Sequence, residues 1–271
     1  MPELPEVETT RRGILPFVEG FKVTGLTVRN RSLRQPVPTT LKRTLLGKQV
    51  VALKRRAKYL LFEFEHGHLL VHLGMSGSLF LVPPDQIPRK HDHIDLQLSS
   101  GKVLRYHDPR RFGLWLWTAK PPQEHALLQH LGPEPLGPDF DGEMLFQKAR
   151  KRKVAVKSFL MDGKTVVGIG NIYAAEALFA AKIRPTRAAG RVTRAEYQRL
   201  ADHSRRILTE SIAQGGTTLQ DFVGGDGNPG YFAQVLAVYG REGEPCRACK
   251  GTLKGKVIGQ RASCYCPKCQ I

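Results

Sequence analysis

No cysteine occurs before residue 246, no apolar run comes near the roughly 20 residues a bilayer-spanning helix needs, and acidic residues are few. Each scarcity excludes something. Without dispersed cysteines there is no disulfide framework to expect; five cysteines crowded after residue 245 point to metal ligation instead. Without a long apolar run, a spanning helix is not expected. The opening MPELPEVE is acidic and has no basic n-region followed by an apolar stretch, so it does not read as a targeting peptide. A cytoplasmic or nucleoid location is the expectation. There is no P-loop, no dinucleotide-binding glycine fingerprint, no Ser–His–Asp order, no internal repeat and no low-complexity tract. A nucleophile, if there is one, must come from elsewhere.

Positive charge is what the chain has in excess. Lys and Arg number 42 against 24 Asp and Glu, a net charge of +18. A field of that sign favours a polyanionic partner: nucleic acid, an anionic membrane surface or an acidic protein. Its 271 residues suffice for two domains, and 41% hydrophobic content supplies their cores.

Pro5, with Glu6 and Glu8 in the first turn and Val7, Ile14, Leu15 and Val18 as an apolar set, predicts a helix at the N-terminus. After Gly20 the texture changes to short, often alternating segments at 21–29, 50–55, 58–65, 68–73, 93–98, 102–107 and 113–117, with turn signals between them. That predicts an antiparallel sandwich or barrel. The proline- and glycine-punctuated run 119–139 reads as a junction containing one helical turn. Helical patterns follow at 141–150, 154–162, 171–182 and 193–214. In the last, Thr193 and Glu196 form a capping box, and Tyr197, Leu200, Ser204, Ile207, Leu208, Ser211 and Ile212 trace one face. A strand is expected near 231–238. The domain reading is 1–118, a linker at 119–139, a helical domain at 140–230 and a terminal hairpin at 235–271.

Cys246-x2-Cys249, sixteen residues, then Cys266-x2-Cys269 is the spacing of a zinc ribbon. Four thiolates converge on one Zn2+ and fold a segment too small for a core of its own. Cys264 falls outside the two knuckles and is expected to be a packed thiol. Lys250, Lys254, Lys256, Arg261 and Lys268 on this hairpin suit backbone phosphates, although a ribbon serves protein contacts equally well.

Further candidates each carry two readings. Arg150-Lys151-Arg152-Lys153 with Lys157 is a solvated helix face or a phosphate-binding run. Gly168-Ile169-Gly170-Asn171 makes Asn171 an N-cap, and its glycines would let a phosphate approach the helix N-terminus. His91-Asp92-His93 is not expected to hold metal, because neighbouring strand residues face opposite ways. Met75, between Gly74 and Gly77, and Phe112, after Arg110-Arg111, either pack in the core or insert into a DNA stack. Pro2 is a final option. Removal of Met1 exposes a secondary amine whose pKa near 8 leaves a useful neutral fraction, and Glu3 and Glu6 stand beside it. Such an amine suits imine chemistry at a sugar C1′, with an acid protonating the ring oxygen. Spacing alone leaves this open.

Taken together, PELPEVE, RRAKYLL around Lys58, HLGMSG around Met75, KHDH, DPRRFG, VVGIGNIYAAEALF, GGTTL, GYF and CRAC…QRASCYCPKC resemble the formamidopyrimidine-DNA glycosylases over nearly the whole chain. The resemblance implies an α+β, two-domain fold. An N-terminal antiparallel β-sandwich with flanking helices is followed by a helical domain with a helix-two-turn-helix element and a four-cysteine zinc-finger β-hairpin, with DNA in the cleft. It implies excision of oxidised purines from damaged double-stranded DNA by a monomer, then β- and δ-elimination. Pro2 would attack C1′, with Glu3 as proton donor and Lys58 and Arg261 as further donors. Glu6 and Glu176 match supporting carboxylates. His91, Arg110, Arg152 and Asn171 match DNA contacts, and Met75, Arg110 and Phe112 the trio that fills the void under a flipped base. The loop 217–231 matches the segment that closes over that base. Two departures stand out: Cys264 replaces a bulkier apolar residue, and Arg152 stands where lysine is also common. Two other readings compete. A sister endonuclease-VIII-type enzyme would prefer oxidised pyrimidines, and a non-catalytic zinc DNA-binding protein would have no need of Pro2 and Glu3.

Overall fold

In a computed structural model the residues described are 2–216 and 236–271. They fall into two compact units, one covering residues 2–129 with 214–216, the other His130–Ala213 together with 236–271.

In the first unit, helix α1 (Leu4–Val18) buries Leu4, Val7, Ile14 and Val18 completely, as the apolar spacing after Pro5 predicts. It packs on two four-stranded antiparallel sheets. One sheet has the order β1 (Val23–Val28), β6 (Asp92–Leu98), β7 (Val103–His107), β5 (Ser78–Val82). The other runs β2 (Ala52–Arg56), β3 (Tyr59–Phe64), β4 (Gly67–His72), β8 (Leu114–Thr118). Their inner faces enclose a core with Phe62, Tyr106 and Trp115 fully buried. This is the sandwich that alternation predicts, and seven of its strands lie where expected. Two elements were not read from sequence: β5, whose SLFLV has no polar residue after its first position, and the five-residue helix α2 (Leu41–Leu45). Neither shows a clean period.

The second unit holds α3 (Gly142–Ala149), α4 (Val156–Met161), α5 (Asn171–Ala180) and α6 (Arg194–Ala213). Helix α5 buries every residue from Ile172 to Leu178, so it is the central element, packed by α4, α6 and the hairpin. The α6 capping box forms as predicted: the Glu196 carboxylate accepts the Thr193 N–H at 2.8 Å, and Thr193 Oγ1 accepts the Glu196 N–H at 3.3 Å. All seven residues of its predicted face are buried. Strands β9 (Lys254–Ile258) and β10 (Arg261–Tyr265) form the hairpin and cluster with these helices. The loop 217–231 and most of the strand expected near 231–238 lie outside the described residues; Leu236–Val238 form no strand.

Candidate functional site

Pro2 is buried ahead of α1, and Glu3 and Glu6 are each only 2% exposed. The Glu3 N–H donates to Glu6 Oε2 at 2.9 Å, which fixes the peptide that leaves Pro2. Gly216, with φ of +82°, lies against the same carboxylate; a Cβ there would come within 3.2 Å of Glu6 Oε1. A proline, two buried carboxylates and the positive end of a helix thus share one corner.

Lys58 occupies the tip of the two-residue turn joining β2 to β3, where Ala57 takes a positive φ of 54°. Glu8 ties that turn to α1. Its carboxylate accepts from Arg11, Arg12 and Arg55, while Arg55 also donates to the Ala57 carbonyl at 2.8 Å. Burial disfavours the Glu8 charge, but hydrogen bonds from Arg11 and Arg12 and the positive charges of Arg11 and Arg55 outweigh it and hold the carboxyl at about 2.

His72 ends β4. Burial, then the charges of Lys58 and Arg34, push its pKa down to about 4, so it is neutral at pH 7. Its Nδ1 accepts the Gly74 N–H at 2.9 Å and so orients the turn that presents Met75. Facing that turn is the segment Asp108–Gly113. Arg110 and Phe112 are exposed there, with the Arg110 guanidinium 4.8 Å from the Phe112 ring centroid. Gly74, at φ of +72°, backs onto Phe112, whose carbonyl carbon would lie 2.5 Å from a Cβ at position 74. Met75, Arg110 and Phe112 are therefore brought together, and Phe112 is not a core residue.

His91 precedes β6. Its ring meets those of His93 and His107 edge-on at 6.1 and 6.0 Å, as residues two apart along an extended chain share a face. Desolvation and its cationic neighbours, Lys90 first, lower the His91 pKa and favour the neutral imidazole.

Arg152, Asn171, Glu176 and Arg261 belong to the second unit. Arg152 is exposed, its backbone pinned to Ala149 and Gly190. Asn171 is not the N-cap of α5. Gly170 holds that position, and Asn171 is the first helical residue, its Nδ2 donating to the Ala262 carbonyl at 3.0 Å. The side chain follows a partner 91 residues away in place of the local cap. Lys157 also departs from its sequence reading. Only 1% exposed, it is no part of a solvated face; its ammonium donates to Ser263 Oγ at 2.6 Å and to the Ala262 carbonyl at 3.4 Å. Lys157 and Asn171 together grip β10 next to the exposed Arg261. Glu176 accepts three backbone N–H groups, from Ala237, Val238 and Tyr239, at 2.8–2.9 Å. It anchors the chain entering the hairpin.

The four predicted cysteines converge. All their Sγ atoms lie within 4.8 Å of one another, Cys246 to Cys269 at 3.9 Å and Cys249 to Cys266 at 3.5 Å. Thiolates about 2.3 Å from a tetrahedral Zn2+ stand about 3.8 Å apart, so these residues fit one structural zinc. Cys264 lies outside the set, packed in the small core formed by Ala175, Val238, Leu253 and two of the ligands; burial raises its thiol pKa. Lys250, Lys254, Lys256, Arg261 and Lys268 of the hairpin are all exposed.

Asp108, Ser76, Tyr106 and His72 escaped the sequence reading of the site, although all four fall within or beside HLGMSG and DPRRFG. Asp108 opening a turn after a strand was the available signal.

Family models match most of the chain. The formamidopyrimidine-DNA glycosylase N-terminal domain covers residues 1–115, its H2TH domain residues 131–223, and the zinc finger found in FPG and IleRS residues 243–271. Among curated proteins, the formamidopyrimidine-DNA glycosylases of Teredinibacter turnerae and Ectopseudomonas mendocina are each 58% identical over 100% of both chains. A crystal structure of the Fpg protein from Thermus thermophilus superposes with a TM-score of 0.89 at 38% identity, covering 99% of this chain and 98% of that one. The Lactococcus lactis Fpg in complex with abasic-site DNA gives 0.90 at 33% identity, covering 99% of each. The chain belongs to the formamidopyrimidine-DNA glycosylase family. It is a base-excision repair enzyme, a DNA glycosylase with the lyase activity at abasic sites known for that family. Among the described residues no helix is long and apolar enough to cross a membrane.

Proposed function

We propose that the Pro2 amine is the nucleophile in excision of oxidised purines from damaged duplex DNA. The reading rests above all on the buried corner where Pro2 adjoins Glu3 and Glu6. While Met1 remains attached, the Pro2 nitrogen is an amide without a nucleophilic lone pair, so the active chain starts at Pro2. The secondary amine attacks C1′, the base leaves with a proton, and Glu3 protonates the sugar ring oxygen as the ring opens to an iminium. Loss of a C2′ proton then expels the 3′ phosphate, and a second elimination expels the 5′ phosphate. Lys58 and Arg261 supply protons to these steps. Glu6 supports the corner, and Glu176 supports the chain entering the hairpin.

His91, Arg110, Arg152 and Asn171 contact the DNA. Met75, Arg110 and Phe112 fill the void left by the flipped nucleotide, Arg110 facing the orphaned cytosine. The enzyme acts as a monomer on chromosomal DNA in the cytoplasm. The exposed cations of the hairpin and of the 150–153 run make affinity fall steeply with salt.

Borohydride trapping on duplexes carrying 8-oxoguanine opposite cytosine, or thymine glycol, tests the reading. A covalent adduct on the first, lost in Pro2→Gly, is expected. Trapping that survives Pro2→Gly unchanged sinks the amine nucleophile. A preference for thymine glycol moves the enzyme to the pyrimidine branch, and no adduct on either duplex favours a non-catalytic binder.

A further inference from the structure

Asp108 is fully buried, although Pro109 to Phe112, which follow it, are exposed. Its carboxylate accepts four hydrogen bonds. Oδ1 takes the Ser76 hydroxyl at 2.8 Å and the Arg110 N–H at 3.3 Å; Oδ2 takes the Tyr106 hydroxyl at 2.8 Å and the Gly113 N–H at 2.9 Å. Its backbone reaches His91 and His93: the Asp108 N–H donates to the His91 carbonyl at 3.0 Å, and His93 Nε2 donates to the Asp108 carbonyl at 2.8 Å. One residue therefore bonds the turn that carries Met75, the segment that carries Arg110 and Phe112, and the loop that carries His91.

Two glycines make room for this arrangement. A Cβ at Gly113 would lie 1.7 Å from the Tyr106 hydroxyl, and one at Gly77 would lie 2.9 Å from it. The Tyr106 hydroxyl fits only because both side chains are missing.

We propose that Asp108 is a positioning residue for lesion recognition. It locks the Met75 turn and the Arg110–Phe112 segment into one rigid wedge, and selectivity for the base opposite the lesion depends on that lock. This rests on the void-filling reading of Met75, Arg110 and Phe112. Being fully buried, Asp108 acts through them. Their backbones are held while the Arg110 and Phe112 side chains remain exposed, so entering the stack requires little further ordering. The carboxylate is specific to the task because it only accepts. An asparagine must turn its NH2 toward either the Arg110 N–H, which would keep only its 3.3 Å bond to Ser76 Oγ, or the Gly113 N–H. Neither N–H can turn round to accept, so the Arg110–Phe112 segment loses one of its bonds to this side chain whichever way the amide points.

The test compares Asp108→Asn, Ser76→Ala and Tyr106→Phe with the full-length zinc-loaded parent in two assays. One is single-turnover excision of 8-oxoguanine from duplexes with cytosine or adenine opposite. The other is cleavage of a single-stranded oligonucleotide with a preformed abasic site, which has neither an opposite base nor a void. Duplex excision by Asp108→Asn is expected to fall about 10- to 100-fold and its cytosine-over-adenine ratio toward one, while single-stranded cleavage stays within about twofold. The variants that remove one bond move the same way by less, and they decide the matter if Asp108→Asn does not fold. An unchanged ratio in the variants, or equal losses in both assays, overturns the assignment. Met75→Ala and Arg110→Ala separate the failures. If they also keep the ratio, the void-filling reading falls and takes the lock with it; if they lose it while the Asp108 set does not, only the lock is wrong.

Discussion

The backbone N–H of Glu3 donates to the Glu6 carboxylate at 2.9 Å, with both residues 2% exposed. The first turn of α1 thus holds the residue that follows the proposed nucleophile. Glu6→Gln keeps an oxygen able to accept this bond, whereas Glu6→Ala leaves a buried N–H without it. Single-turnover excision should fall on the order of 10- to 100-fold in Glu6→Ala, as for a small misplacement of reacting atoms, and much less in Glu6→Gln. Equal losses would mean the charge of Glu6 matters more than its acceptor.

His72 links stability to pH. Its folded pKa of about 4 lies below the ordinary 6.5, so the unfolded chain takes up this proton first as pH falls. The neutral ring's contribution is fully present above about pH 6.5, is lost as pH drops through 4, and changes no further below that. At about 1.4 kcal/mol per unit the loss approaches about 3 kcal/mol. Urea unfolding followed from pH 7 to pH 4 should show this slope, and His72→Gln, which does not titrate, should flatten it. Glu8 acts in a lower window. Its depressed pKa of about 2 makes its contribution present above about 4.5 and lost as pH falls through 2, a slope that Glu8→Gln should remove.

Glu176 satisfies three consecutive backbone N–H groups, at 237–239. Replacing it with Ala leaves them without that acceptor at a cost of about 2–3 kcal/mol. The expected result is a lower urea midpoint, with amide exchange speeding up first at Val238 and Tyr239. Exchange that stays at the parental rate there would argue against the anchor.

Zinc removal should unfold the hairpin selectively. Elemental analysis should find one Zn2+ per chain, and stripping it with a chelator under reducing conditions should collapse the amide resonances of residues 246–269 while those of the sandwich persist. Cys264→Val should retain the full metal content, since Cys264 lies outside the four-sulfur set. A drop to substoichiometric zinc in that variant would show that Cys264 takes part in binding.

Much of this molecule is written locally. The cysteine knuckles, the capping box and seven-residue face of α6, and the alternation of most sandwich strands are short-range patterns whose physics is complete within a few residues. Net charge restricts the class of partner in the same direct way, and motif resemblance supplied the candidate roles of Pro2, Glu3 and Lys58. Other features depend on partners far along the chain. Ser76 meets Asp108 across 32 residues, Glu176 meets Val238 across 62, and Lys157 meets Ser263 across 106. The last case shows the reason. A lysine after four cationic residues has the local pattern of a solvated face, and only the fold, by placing Ser263 and the Ala262 carbonyl above it, makes burial favourable. Asn171 likewise has the local chemistry of a cap and is claimed by a distant carbonyl. The sequence by itself determined the periods, the zinc ligands and the charge. The tertiary structure decided which polar groups are buried together, because that depends on long-range satisfaction of donors and acceptors, which no local period encodes.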